Sequence, residues 1–193
     1  MDEVELKSVV DDVVMRRAAV ERAGATLMFA GHLEDRRYDT ADQALTSRDH
    51  VLRVRIYRDD VNAPRAELDW KGPTRRENGY KTRQEIETRV HDGDKLVDIL
   101  GMLGYRVTVS IDREIAQYDL NGTMIRFERY PRMDDLVEVE GTPEKIEEAI
   151  RALGMPRDGF ITDRLNDFVT RFEKRTGRRA ATSNATLASN TDG

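Results

Sequence analysis

The chain has 193 residues, of which 38% are hydrophobic and 36% are charged, and its formal net charge is -5 at pH 7. This length suits one domain with a substantial core, and the patterned apolar residues exclude global disorder. The negative net charge excludes a chain-wide basic field for nucleic acid. The absence of cysteine excludes disulfides and thiolate metal sites, as is typical of the reducing cytoplasm.

No secretion or membrane segment is predicted. The first ten residues are acidic and lack the apolar core of a signal peptide, and no apolar run approaches the length of a membrane span. We therefore expect a cytoplasmic protein without a membrane or nucleic-acid partner, and the sequence leaves a homodimer open.

The first predicted element is a strand near the N-terminus. In MDEVELKSVV, Glu3, Glu5 and Lys7 take every second position, with Val4 and Leu6 between them. Strict alternation is typical of a β-strand, because its successive side chains point to opposite faces. The charged phase is then either a solvated face or the lining of an enclosed site.

Four helices are predicted farther along the chain, each with apolar residues at helical spacing. Their ranges are 11–23, 93–103, 143–153 and 161–175. Asn78-Gly79 and Asn121-Gly122 are hairpin signals between strands. From Gly177 the composition shifts to small and polar residues without periodicity, so 1–176 is predicted as one domain and 177–193 as a disordered tail.

Several other segments repeat the alternation of the first strand. In VLRVRIY, Arg53 and Arg55 alternate with apolar residues, and AELDWK, KTRQEIETR, MIRFER and LVEVEG follow the same rule. If helices cover the apolar phase, the charged phase must point inward. A closed antiparallel β-barrel with a polar interior satisfies this and leaves no exposed sheet edge, so the predicted fold class is α+β with helices packed outside the barrel.

The inward phase carries groups that suit a polyphosphate. Its carboxylates come in closely spaced pairs, Glu3/Glu5, Glu85/Glu87 and Glu138/Glu140. Such pairs suit a hard divalent cation such as Mg²⁺ or Mn²⁺, which prefers oxygen ligands. Its lysines and arginines suit several phosphate groups.

These motifs resemble those of the CYTH superfamily, also called triphosphate tunnel metalloenzymes. EVELK is similar to the ExExK signature, and LRVR, WKGP, TRQEIE, DREIAQY and LVEVEG follow in the expected order, so the resemblance covers about residues 1–175. The superfamily includes class IV adenylyl cyclases of the CyaB type, thiamine triphosphatases and inorganic tripolyphosphatases. The resemblance, which is strongest to the cyclases, implies an eight-stranded antiparallel tunnel and a substrate such as ATP, tripolyphosphate or thiamine triphosphate.

The resemblance also implies roles for single residues. The implied metal ligands are Glu3, Glu5, Glu85, Glu87, Glu128, Glu138 and Glu140. The implied phosphate-binding residues are Lys7, Arg53, Arg55, Lys71, Arg83 and Arg113, with Lys7 and Lys71 also implied as catalytic.

Two positions depart from the family pattern. Ile111 stands two residues before Arg113, where many members have lysine, so one phosphate contact is expected to be missing. Arg37 stands where many members have the first tyrosine of a Y-F/Y-D-T motif, which argues against thiamine triphosphatase activity.

Three functions stay open at this point. Attack of the ribose 3′-hydroxyl of ATP on the α-phosphorus would give cyclic AMP and pyrophosphate, and attack of water on the terminal phosphorus would make the protein a phosphohydrolase. A non-catalytic polyphosphate-binding module would have the basic residues but would lack the metal ligands. The resemblance favours the cyclase, although the sequence shows no adenine pocket.

Overall fold

The computed structural model describes residues 2–77 and 80–189, and for Asp2, Glu3, Glu77, Tyr80 and Lys81 it describes the backbone only. The predicted Asn78-Gly79 turn lies outside the described residues. The strands are β1 Asp2–Val9, β2 Thr26–Asp39, β3 Val51–Arg58, β4 Arg65–Lys71, β5 Arg75–Glu77, β6 Tyr80–Val90, β7 Arg106–Leu120, β8 Thr123–Arg129 and β9 Leu136–Glu140.

Eight of these strands close into a barrel. They follow the order β1-β9-β8-β7-β2-β3-β4-β6, and β6 pairs back with β1 to complete the ring. Every pairing is antiparallel, and the short β5 adds to β6 at the margin. The predicted eight-stranded antiparallel barrel is confirmed, and closure leaves its long strands without unpaired edges.

The helices lie outside the barrel, as predicted. They are α1 Val13–Arg22, α2 Gly93–Met102, α3 Pro143–Leu153, α4 Leu165–Thr176 and α5 Asn184–Ser189. Helix α4 begins four residues later than the sequence indicated, because Ile161 forms a backbone bridge with Lys7, with both N–O distances at 2.9 Å. Among the described residues, no helix is long and apolar enough to cross a bilayer.

The main core lies between helices and the outward phase of the strands. Leu6, Ile125 and Val139 of three adjacent strands pack with Val20 of α1 and Ile150 of α3, and all five are buried. A second cluster joins the outward residues of β3 and β4 to α2. Because the helices cover the apolar phase, the charged phase of the same strands faces the barrel interior.

The prediction of a disordered tail is wrong for residues 177–189. Ala181 pairs with Arg132 through two backbone hydrogen bonds of 2.8 and 3.0 Å, and Asp112 N donates to Thr182 O at 2.8 Å. Asn184 N also donates to the Asp112 carboxylate at 2.9 Å. Ala181 is fully buried. The segment is held by the backbone of distant elements, so it needs no periodic apolar face of its own.

Candidate functional site

A cavity of about 810 Å³ lies in the barrel interior. It is lined by twelve of the sequence-predicted site residues: Glu5, Lys7, Arg53, Arg55, Lys71, Arg83, Glu85, Glu87, Arg113, Glu128, Glu138 and Glu140. The thirteenth, Glu3, lies on β1 opposite Arg83 of β6, and its side chain lies outside the described residues. The fold therefore brings residues from seven strands to one site.

Two arginines of β3 share a single aspartate of β4. Arg53 Nε lies 3.0 Å from both carboxylate oxygens of Asp69, and Arg55 Nε lies 3.1 Å from Oδ2 of the same side chain. Arg53 also donates to Asp35 of β2 at 3.2 Å, and Arg55 donates to Glu87 of β6 at 2.6 Å. These charge-assisted bonds fix the direction of both guanidinium groups in the lumen.

A second charge network lies on β1, β8 and β9. Lys7 Nζ is 2.6 Å from Glu138 Oε2 and 3.4 Å from Glu5 Oε2. The other oxygen of Glu138 accepts a hydrogen bond from Arg126 at 2.8 Å. Arg126 Nε in turn donates to Glu128 at 3.1 Å. Pairing of this kind is required, because isolated charges inside a barrel would be prohibitively costly.

The remaining basic residues are also held in place. Arg113 Nε donates to Glu128 Oε1 at 3.0 Å, and Lys71 Nζ lies 3.2 Å from Glu85 Oε2. Arg83 donates to two backbone carbonyls, Gly72 O and Asp49 O, each at 2.6 Å. The basic groups are thus oriented before any ligand binds, which reduces the entropy that a ligand must remove.

The networks shift the pKa values of their members. Burial alone would lower the pKa of Lys7, but Glu138, Glu5 and Glu128 outweigh it and raise the pKa above its usual value. Burial would raise the pKa of Glu138, yet Arg126 and Lys7 hold it well below its usual range. Asp35 behaves similarly, since Arg53 and Arg113 overcome burial and lower its pKa to about 2. At neutral pH these groups are therefore charged.

Three carboxylates converge closely enough to share a cation. Asp69, Glu85 and Glu87 each place one oxygen within 4.8 Å of the others. On another wall, Glu5 and Glu140 lie directly opposite each other on β1 and β9, where like charges repel. Both groups consist of carboxylate oxygens, which are the ligands that Mg²⁺ and Mn²⁺ prefer.

The sequence reasoning missed the contribution of β2. Asp35 and Arg37 of this strand line the cavity. Two further residues outside the predicted set join the charge networks: Asp69 accepts from Arg53, and the Tyr130 hydroxyl donates to Glu128. In LEDRRYD both phases carry charge, because Glu34 and Arg36 lie on the outside of the barrel, so the alternation is hidden. The sequence signal that could have predicted β2 is a segment between Gly24 and Thr40 that lacks the capping pattern of a helix and lies close in the chain to other predicted strands.

Members of two apolar clusters also line the cavity. At one end α4 packs Phe168 and Leu165 against Leu136 and Tyr130, and Thr182 of the C-terminal segment also lines the cavity. Elsewhere in the barrel, Leu33, Tyr57, Ile115 and Phe29 form an apolar cluster, with the Phe29 and Tyr57 rings 5.3 Å apart edge to face. The Arg65 guanidinium lies over both rings, 4.2 Å from the Tyr57 centroid and 5.9 Å from the Phe29 centroid. Met28 and Met124 line the cavity beside this cluster.

Comparison with known proteins identifies a family and a relative for this chain. The model of the CYTH domain matches residues 1–152. A protein of Methanocaldococcus jannaschii, named as a candidate adenylate cyclase, is 26% identical over 171 residues, which are 83% of this chain and 94% of that protein.

Solved structures share the fold. A candidate adenylate cyclase from Vibrio parahaemolyticus aligns with a TM-score of 0.73 at 18% identity, over 87% of this chain and 97% of that one. A Hippeastrum protein, whose description reports a candidate adenylyl cyclase with a dominant triphosphatase activity, aligns with a TM-score of 0.59 at 17% identity, over 91% and 96%. The family model covers most of the chain, and the two solved structures share its fold. The chain therefore belongs to the CYTH family.

Proposed function

We propose that this protein is a divalent-metal-dependent enzyme that cleaves a triphosphate inside the barrel. The activity that we favour is the conversion of ATP to cyclic AMP and pyrophosphate. One observation carries the proposal: basic and acidic residues from seven strands line a single cavity of about 810 Å³. Reactions at phosphorus depend mainly on positioning and charge neutralisation, and a tunnel of oriented arginines and lysines supplies both.

The basic residues would bind the phosphate chain. Arg53 and Arg55 present guanidinium groups aimed by Asp69, and Arg113 is aimed by Glu128. Such groups can form bidentate contacts with phosphate oxygens. Lys7, whose pKa is raised by the surrounding glutamates, stays protonated at neutral pH. Its role would therefore be to neutralise charge that develops on a phosphate oxygen, and not to abstract a proton.

The acidic residues fit a divalent cation. The donors Asp69, Glu85 and Glu87 already converge, and a cation between Glu5 and Glu140 would offset the repulsion of two opposed carboxylates. A bound Mg²⁺ or Mn²⁺ would neutralise phosphate charge and polarise the phosphorus that is attacked. These protein groups hold the phosphate chain and any cation in one fixed arrangement, which favours in-line attack.

Aromatic and methionine side chains in the cavity lining support a nucleoside triphosphate as substrate. Phe29, Tyr57, Met28 and Met124 line the cavity, and the Arg65 guanidinium lies over the two rings. A base could pack against this group of side chains while the phosphates reach the arginines. The names of the Methanocaldococcus and Vibrio proteins point to the same reaction.

Hydrolysis of a triphosphate is the second candidate. The charged centre of the cavity needs nothing from a nucleoside, so bare tripolyphosphate would satisfy the same arginines, and the description of the Hippeastrum protein reports triphosphatase activity.

Product analysis decides between these activities. The protein is incubated with Mg²⁺ or Mn²⁺ and separately with ATP, tripolyphosphate and thiamine triphosphate, and the products are resolved by chromatography. Cyclic AMP with pyrophosphate supports the cyclase. Orthophosphate without cyclic AMP, with tripolyphosphate as the fastest substrate, replaces it with the hydrolase. Tight binding without turnover of all three would make the protein a polyphosphate-binding module.

A further inference from the structure

Arg37 differs from the arginines around it in the lumen. Arg53, Arg55, Arg113 and Arg126 each donate to a carboxylate oxygen at 2.6 to 3.0 Å. For Arg37, the closest carboxylate oxygen is Oδ1 of Asp35, at 4.0 Å from Nε. Within the described part of the chain, the Arg37 guanidinium donates no hydrogen bond, and its Nε is buried without a partner. Arg37 therefore offers donors that the protein leaves unused.

The position of Arg37 directs these donors into the tunnel. On the barrel wall it lies directly opposite Arg53 of β3 and Val109 of β7, in the inward phase of β2. The side chain lines the cavity, and 38% of its surface is exposed to solvent. Burial lowers the pKa of Arg37, Asp35 raises it, and the charges of Arg53 and Arg113 lower it further. The excess of positive charge here favours an anion.

Arg37 also lies next to position 111, where this chain has isoleucine in place of the lysine found in many members of the family. Ile111 pairs with Asp35 across β2 and β7, which makes it a diagonal neighbour of Arg37. Ile111 is buried in an apolar cluster with Phe168 and Tyr130, so it contributes nothing to anion binding. A long side chain on the neighbouring strand can reach the space that a lysine at position 111 would have served.

We propose that Arg37 is a phosphate-binding residue of the tunnel, and that it supplies from β2 the positive charge that Ile111 leaves out on β7. The inference rests on the proposed function, since it names a residue that binds the triphosphate. On this proposal, Arg37 takes the place of the phosphate contact that was expected to be missing. The bound group would be a phosphate oxygen that accepts from the free guanidinium nitrogens.

Binding of inorganic tripolyphosphate by calorimetry, without turnover, tests the proposal. Arg37→Gln should raise the Kd at least tenfold. Arg58→Gln is the matched control: it removes the same charge from an exposed arginine of β3 that pairs with Glu34 outside the lumen, and should change the Kd less than twofold. Adding Ile111→Lys to Arg37→Gln should return the Kd to within about threefold of the wild-type value, because the charge is restored one strand away.

The outcomes separate the two levels of the argument. If the wild-type chain binds tripolyphosphate and Arg37→Gln binds it equally well, the role of Arg37 is overturned while the proposed function stands. If the wild-type chain does not bind tripolyphosphate, the proposed function itself fails. Should Arg37→Gln not fold, Arg37→Lys provides the same test: it keeps a charge but loses the forked donors, so a Kd raised at least threefold supports the proposal and an unchanged Kd contradicts it.

Discussion

Asp69 accepts hydrogen bonds from Arg53 through both of its carboxylate oxygens, each 3.0 Å from Arg53 Nε, and both residues are buried. The two residues face each other across β3 and β4, so the strand register itself sets their contact. Asp69 is also a member of the carboxylate trio that could share a cation. One buried aspartate thus connects the basic and acidic halves of the candidate site.

Asp69→Asn should destabilise the fold. The substitution leaves Arg53 and Arg55 without their shared negative charge, and breaking a buried ion pair in this way costs about 3 kcal/mol or more in the free energy of unfolding. Urea denaturation measures the loss, and Asp60→Asn, at an exposed loop position, is the matched control. Equal stability of the two variants would mean that the arginines find other partners.

Metal removal should abolish turnover of whichever triphosphate is cleaved. Excess chelator is expected to stop the reaction, and Mg²⁺ or Mn²⁺ to restore it, because carboxylate oxygens converge in the lumen. Glu85→Gln should raise the metal concentration for half-maximal activity at least tenfold, whereas Glu148→Gln, on the exposed side of α3, should leave it unchanged. Full activity in excess chelator would contradict the metal model.

Truncation of the C-terminal segment should weaken the protein. Deletion of 178–193 removes the backbone pairing of Ala181 with Arg132 and exposes surface that Ala181 now covers. We expect a loss of about 2 kcal/mol or more, which lowers the melting temperature by roughly 5 °C. Deletion of 190–193 alone removes none of these contacts and serves as the control. An unchanged melting temperature for the longer deletion would show that this docking contributes little.

Stability should fall in acid through Asp35. Its pKa is about 2 in the folded protein, against 3.8 for an unperturbed aspartate, because Arg53 and Arg113 outweigh burial. The ionised form therefore stabilises the fold above pH 4, by about 2 kcal/mol, and this contribution is lost as the pH falls toward 2. Unfolding free energies measured from pH 6 to pH 2 test this. Asp35→Asn should show a shallower decline, and an identical decline would remove Asp35 from the explanation.

Alternation along the chain was enough to predict a charged face for six of the barrel strands, namely β1, β3, β4, β6, β8 and β9. Alternation in segments such as EVELK and VLRVRIY assigns side chains to faces, because the two-residue period of a strand is local geometry. Because helices pack against the apolar face of the strands, the charged face was then predicted to point inward. This alternation and the resemblance to the CYTH family together predicted thirteen site residues, and twelve of them line the cavity of the structure.

Which charges contact each other depends on the three-dimensional fold. Asp69 accepts hydrogen bonds from Arg53 and Arg55, and Glu138 contacts both Lys7 and Arg126. These contacts depend on strand register and barrel closure, which bring together residues that are far apart in the chain. The position of Arg37 in the lumen and the docking of Ala181 were hidden for the same reason. Neither is part of a periodic pattern, and both depend on contacts between distant segments, which local sequence cannot specify.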